Sequence, residues 1–332
     1  LRQFAYHVRI NLMTLTFRKL PSLTAHLALF LLVLLLESGC GTLRGAAIRD
    51  VAGLFSDSSG SRVFVEDDDP ELIRDALPFV LKMYEALLAS EPEDRNLLLA
   101  TTNGFVTYAN AFVHAEAERS EEFDFRRAQH LRQRATKLYL RGRNYALAAL
   151  ALDYPDFETK LQKDPQWVLQ DLSTKDVPLL FWAAAGWAGA ISADLNNMSL
   201  VAELPIAEAM MRRALDLDED FESGAIHEFF IAYEGSRSEA MGGSAERACE
   251  HFDRAVALTR GKKASPYVSL ASSVAVRKQD FKMFKDLLRK ALAIDPNAMP
   301  EWRFANTLAH EKAQWLLDHS PQLFLDYEET EP

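Results

Sequence analysis

From Pro70 to Leu325 apolar residues recur at spacings of three and four, the period of an α-helix that buries one face. Residues 70–90 show it plainly, with Leu72, Ile73, Leu77, Val80, Leu81, Tyr84, Leu87 and Leu88 on one side. The same spacing predicts helices over 96–117, 126–152, 179–193, 206–217, 224–233, 245–259, 267–276, 281–294 and 300–317. No run alternates apolar and polar residues between turn signals, so no sheet is expected and the fold class is all-α. With 48% hydrophobic and 26% charged residues among 332, the chain has material for a sizeable core without covalent staples.

Within the helical stretch the spacing of small and large residues suggests degenerate repeats. In a tetratricopeptide-like (TPR-like) helix pair, alanines let two helices approach closely while a large residue fills the groove between them. Ala207, Met211 and Ala214 fit this pattern, as do Ala248, Phe252 and Ala255. Phe284, Leu288, Ala291 and Pro296 supply its ending, and Val80, Tyr84, Leu87 and Pro92 echo it near the start. Met211 and Phe252 are 41 residues apart, Phe252 and Leu288 only 36, so the period is loose. The expected architecture is a TPR-like helix-pair solenoid curling into a cup; a plain helical bundle would also carry alanines at such spacings. Solenoids of this kind build concave surfaces that hold another protein or a peptide, and a closed cup could hold a small molecule.

The amino-terminal part reads differently. Leu27–Leu36 is an unbroken run of ten apolar residues behind Arg18 and Lys19. As a helix it spans ~15 Å, half a bilayer core, which fits a secretory signal rather than a membrane span. Met13 is a plausible start of translation. The run ends in Leu36-Glu37-Ser38-Gly39-Cys40-Gly41, which resembles a lipobox with Cys40 as the lipidated residue, although Glu37 stands where the pattern wants leucine. An ordinary signal peptide or an uncleaved anchor are the other readings. Acyl chains would hold the protein on a membrane without any basic face. The expected organisation is a signal peptide over 1–39, a lipidated cysteine and Gly/Ser/Asp-rich tether over 40–69, a helical domain over 70–320 and an acidic tail over 321–332. A short helix is expected near 48–55, and Asp69-Pro70 reads as a helix cap followed by the first helical residue. Cys249, inside a helical pattern, is expected to be a small core residue.

Charge narrows the partners. The chain carries −11; residues 1–39 hold Arg2, Arg9, Arg18, Lys19 and Glu37, so the part after the signal carries −14. Such a balance argues against nucleic acid and against attachment to anionic lipid through a basic patch.

Catalytic motifs are not found. His114-Ala-Glu-Ala-Glu lacks the second histidine of a zinc-peptidase helix, and Gly261-Lys262-Lys263 lacks the rest of a phosphate loop. Asp216, Asp218 and Asp220 begin like a calcium loop, but Phe221 takes the glycine position, so an acidic turn is the simpler reading. His227 and Glu228 are adjacent and so point to different helix faces. Neither a metal nor a cofactor is expected. Trp182 and Trp187, five apart among small residues, are either core packing or an aromatic anchor. Ser265 and Pro266 read as the cap and first residue of a helix.

In combination, Pro178 to Ser192 (PLLFWAAAGWAGAIS), Asp218 to Phe229 (DEDFESGAIHEF), Ala264 to Phe284, Ala291 to Pro296 and Ala313 to Leu317 resemble the T component associated with tripartite ATP-independent periplasmic (TRAP) transporters, the TatT family. Gly186 and Gly189 within the tryptophan run depart from the pattern. The resemblance implies a lipid-anchored, periplasm-facing protein of TPR-like helices, assembled as a homotrimer and bound to the substrate-binding (P) component. It also implies a possible apolar ligand for the cup. In and beside these runs stand the candidate partner- or ligand-binding residues Trp182, Trp187, His227, Phe230 and Tyr267. Two roles follow as expectations: a non-catalytic docking scaffold, or a carrier of a hydrophobic ligand. The outer membrane is slightly favoured over the inner, because Gly41 stands where an aspartate is commonly associated with inner-membrane retention.

Overall fold

The computed structural model describes residues 58–325, which lie within one compact unit, Arg49–Pro332. All regular elements among them are helical, as the spacing predicts. They are α1 (Ser58–Val65), α2 (Pro70–Leu88), α3 (Arg95–Tyr108), a π-helical stretch (Ala109–His114), α4 (Ala115–Ser120), α5 (Phe125–Asp153), α6 (Phe157–Lys163) and α7 (Pro165–Leu169). There follow α8 (Val177–Ala193), α9 (Met198–Val201), α10 (Leu204–Leu217), α11 (Ala225–Ser236), α12 (Ala245–Leu258) and α13 (Ser265–Leu270). A second π-helical stretch (Ala271–Ala275), α14 (Val276–Lys278), α15 (Phe281–Leu292), α16 (Arg303–Asp318) and α17 (Ser320–Leu323) complete the α- and π-helices, with short 3-10 turns such as Phe221–Ser223 between them. None of these helices is long and apolar enough to cross a membrane.

Aspartates start many of the helices. The carboxylate of Asp69 accepts from the Leu72 N–H at 3.0 Å, with Pro70 at the first helical position. Asp94, Asp124, Asp164 and Asp280 do the same for α3, α5, α7 and α15. Each satisfies an orphan backbone donor and sets negative charge against the positive end of the helix dipole. Part of the chain's acidity is therefore spent on capping. Ser265 departs from expectation: it is already inside α13, Ala264 holds the cap position, and the Ser265 hydroxyl points elsewhere.

Helices pack mainly on their neighbours in sequence: α2 on α3, α3 on α5, α5 on α8, α8 on α10, α11 on α12, α15 on α16. Two hydrophobic cores result. The first runs from Ile73 to Tyr233 and includes Phe304; the second runs from Ile231 to Phe324. In the first, α8 is buried over most of its surface, through Leu179, Leu180, Phe181, Ala183, Ala184, Trp187, Ala190 and Ile191, with Trp182 and Ala185 half-buried and Ser192 exposed on the remaining stripe. Glycine makes that enclosure possible. A Cβ on Gly189 would stand 2.5 Å from the Tyr139 ring, and one on Gly186 3.1 Å from the Tyr139 carbonyl oxygen, so α8 lies directly against α5. The two glycines that depart from the tryptophan run's pattern are thus required by this packing.

In the second core the repeat-pattern alanines Ala248, Ala255 and Ala291 are fully buried, as are Ala207, Met211 and Ala214 at the close of the first. Cys249 is half-buried at the edge of the second core rather than inside it, because the helix turns Ala248 inward instead. Phe324 packs on Phe281 and Phe284 at 5.1 and 5.0 Å, so the helical body reaches past 320 into the segment read as a tail. At the other end α1 forms within the stretch read as a tether, and Arg303 donates to the Glu66 carbonyl at 2.8 Å. The helix expected near 48–55, the signal peptide and Cys40 lie outside the described residues.

Candidate functional site

Three of the runs singled out in the sequence converge at one place. From α8 comes Trp182, half-buried and set edge-on against Phe181 at 5.1 Å. The turn between α10 and α11 contributes Glu222, which occupies the left-handed region at φ 43° and ψ 43° and is followed by Ser223 at φ 56° and Gly224 at φ 95°. Left-handed backbone costs a non-glycine residue on the order of 1–3 kcal/mol and persists only where the surroundings dictate it. Here Phe221 packs on Phe181 at 5.2 Å, while Glu219 and Asp220 are tied to Arg254 at 2.6 and 3.2 Å. These contacts pin the turn and leave Glu222 pointing outward from it.

The opposite wall is held with equal care. Asn306, fully buried on α16, accepts from the Ala264 N–H at 2.8 Å and donates to the Lys262 carbonyl at 3.0 Å. Lys263, between those two clamped residues, reaches the Glu228 carboxylate at 2.5 Å, and the Ser265 hydroxyl donates to the other oxygen at 2.7 Å. Both side chains of the ion pair are largely buried, Lys263 at 13% and Glu228 at 17% exposure.

Glu222 is exposed to solvent, yet the protein around it desolvates its carboxyl and raises the pKa, with Glu228 adding to the rise. The charge of Lys263 and the nearby Trp182 indole oppose it. The cluster holds two carboxylates and one ammonium, framed by the rings of Phe181, Trp182 and Phe221.

The other candidate residues fall in different surroundings. Trp187 is buried in the first core; its indole N–H donates to Glu203 at 2.8 Å and Arg143 lies 4.4 Å over its ring. Five residues along a helix turn a side chain by about 140°, which separates it from Trp182. His227 and Phe230 are buried on α11. The His227 Nδ1 meets the His251 Nδ1 at 2.9 Å, one ring donating and the other accepting, while His251 stacks on Phe230 at 4.9 Å. Burial lowers the pKa of both imidazoles, and His227 presses His251 further down, to about 4. Tyr267 is half-buried edge-on against Phe252 at 5.1 Å. Trp182 therefore stands with Phe181 and Phe221 beside the Glu222 turn, while Trp187, His227, Phe230 and Tyr267 are engaged in packing.

Glu222, Glu228, Lys263 and Asn306 were not among the sequence candidates. The Ser223-Gly224 turn signal marks where the chain can enter left-handed geometry, but no spacing relates it to Lys263 some forty residues on.

A family model described as the TRAP transporter T-component matches residues 66–324. An uncharacterized protein of Treponema pallidum (strain Nichols) is 33% identical over 279 residues, covering 82% of this chain and 85% of that protein.

Proposed function

The chain belongs to the TRAP transporter T-component family, and on that premise we propose that it is a non-catalytic docking subunit for the substrate-binding (P) component of such a transporter. In this reading Cys40 carries the lipid anchor, residues 1–39 are the signal that exports the chain, and the body faces the periplasm as a homotrimer. Its helices form a TPR-like superhelix curling into a cup. The observation that carries the reading is the match to the T-component family over nearly the whole helical body. Buried alanines at the repeat positions and the acidic balance are in keeping with it. An acidic face speeds encounter with a basic partner and weakens with salt.

Sedimentation velocity of the detergent-solubilised chain, alone and with its cognate binding protein, tests the proposal. A defined trimer that gains the partner stoichiometrically at low salt, and holds it less tightly at moderate salt, is the expected result. A chain that ignores the partner at both salts removes the docking role. A second reading, a carrier for an apolar ligand, draws on one feature: the half-buried Trp182 beside the rings of Phe181 and Phe221.

A further inference from the structure

We propose that the contact between His227 and His251 is a proton-operated latch on the seam of α11 and α12, closed while the pair holds two protons and opened when acid delivers a third. The seam lies where the two hydrophobic cores meet. From α11, Phe230 and Tyr233 enter the first core and Ile231 the second, while Ala248 and Ala255 of α12 belong to the second.

Proton positions follow from the contacts. The two Nδ1 atoms stand 2.9 Å apart, which leaves room for one proton between them. Two neutral imidazoles carry one more, on an outward-facing Nε2. The His227 Nε2 is buried with no hydrogen-bond partner, and 3.9 Å beyond it stands the Glu219 carboxylate. An N–H is attracted to that carboxylate and a bare lone pair is repelled by it, so the second proton belongs on the His227 Nε2. His251 then donates from its Nδ1 to the His227 Nδ1, and its own Nε2 keeps the one lone pair left to the two rings. A third proton enters there.

The surroundings receive that charge badly. His251 is faced by Arg212 and Arg247 and by one carboxylate, the fully buried Glu234, which Arg212, Arg237 and Arg247 already share. Arg212 also reaches Glu208, so three arginines stand against two carboxylates before any imidazolium forms. Around His227 lie Glu219 and Asp220, both held by Arg254 of α12. Parting α12 from α11 lets water reach the added charge and relieves the repulsion. It also draws Arg254 from Glu219 and Asp220, and the turn that holds Phe221 against Phe181 loses its tie to α12. Burial keeps both imidazoles below the ordinary 6.5, His251 at about 4, so the closed form is full at pH 7 and is lost as pH falls between those two values.

Hydrogen exchange read by mass spectrometry on the full detergent-solubilised chain, at pH 7 and pH 5 and corrected for the intrinsic exchange rate, tests the latch. Peptides from α11 and α12 are expected to lose protection by about two- to fivefold at the lower pH, while those from α5 and α8 keep theirs. His251→Phe preserves a ring to stack on Phe230 and takes up no proton; His251→Gln preserves a donor for the His227 Nδ1 and likewise takes up none. In both variants the difference between the two pH values should vanish from α11 and α12, with far-UV circular dichroism at pH 7 unchanged. Wild-type protection that is equal at the two pH values overturns the proposal, as does a loss spread evenly over all the helices. A local loss that survives both substitutions overturns it too and puts the acid response outside this pair.

Discussion

Helix α8 in the first core and helix α15 in the second bury themselves in opposite ways. α15 carries Phe284, Leu287, Leu288 and Ala291 on its buried face and Lys282, Asp286, Arg289 and Lys290 on its exposed one. Its orientation is settled by that division, since turning it would expose the apolar stripe and bury four charges. α8 has no such division. It is apolar all round and becomes stable only when α3, α5 and α10 surround it. The depth of each contact is then set by small residues: Gly186 and Gly189 against Tyr139, and Gly142 against Val106 and the Thr102 carbonyl. Amphipathic helices thus announce which face is inside, whereas for an enclosed helix the neighbours decide what each side chain does. Trp182 and Trp187 show the consequence, one half-buried at the surface and the other in the core.

Truncating the enclosed helix should have the largest effect. Trp187→Ala is expected to cost about 3–5 kcal/mol, from the cavity left by a buried aromatic, and it also strands Glu203 and Arg143. Arg289→Ala on the exposed face of α15 should stay within about 0.5 kcal/mol. Urea unfolding of both variants measures the contrast, and comparable losses would break it. Next comes Gly189→Ala, which adds a single methyl group against the Tyr139 ring. Overpacking of this kind costs about 1–3 kcal/mol, read as a fall in the urea midpoint; an unchanged midpoint would mean that α8 can slide on α5. The smallest effect belongs to the seam between α11 and α12, where His227 meets His251. Because burial depresses the folded pKa of His251 to about 4, below its ordinary 6.5, the unfolded chain binds the proton first as pH falls. Stability from this site is full above about pH 6.5 and is lost as pH falls toward about 4. The change between pH 7 and 5 should be about 1 kcal/mol or less after solvent screening. A His251→Phe variant should show a shallower decline in melting temperature over that interval; an unchanged decline would place the acid sensitivity elsewhere.

Much of the fold was legible before any coordinates. The aspartate cap at Asp69 bounds α2 where local chemistry alone requires a start, and the apolar period located every long helix to within a few residues. Short helices such as α6, α7, α9 and α17 were not predicted, because five or so residues carry too little periodicity to stand out. Of the candidate cluster, only Trp182 was legible, as one of a conspicuous pair. Glu222 and Lys263 are ordinary charged residues in their own segments. Their significance comes from two turns meeting across the fold, each held by a residue distant in sequence, Phe181 for one and Asn306 for the other.

By itself, then, the sequence determined that this protein is a chain of capped, mostly amphipathic helices with close-approach alanines at loosely repeated positions. Those properties reside in spacings of three and four residues, which act locally and need no partner to be read. Tertiary structure alone decided which tryptophan was enclosed, which histidines would face each other, and which carboxylate Lys263 would pair with. Burial and ion pairing depend on which segments come together, and that information is carried by contacts between distant residues, such as Phe181 with Phe221 and Asn306 with Ala264, rather than by any single stretch of the chain.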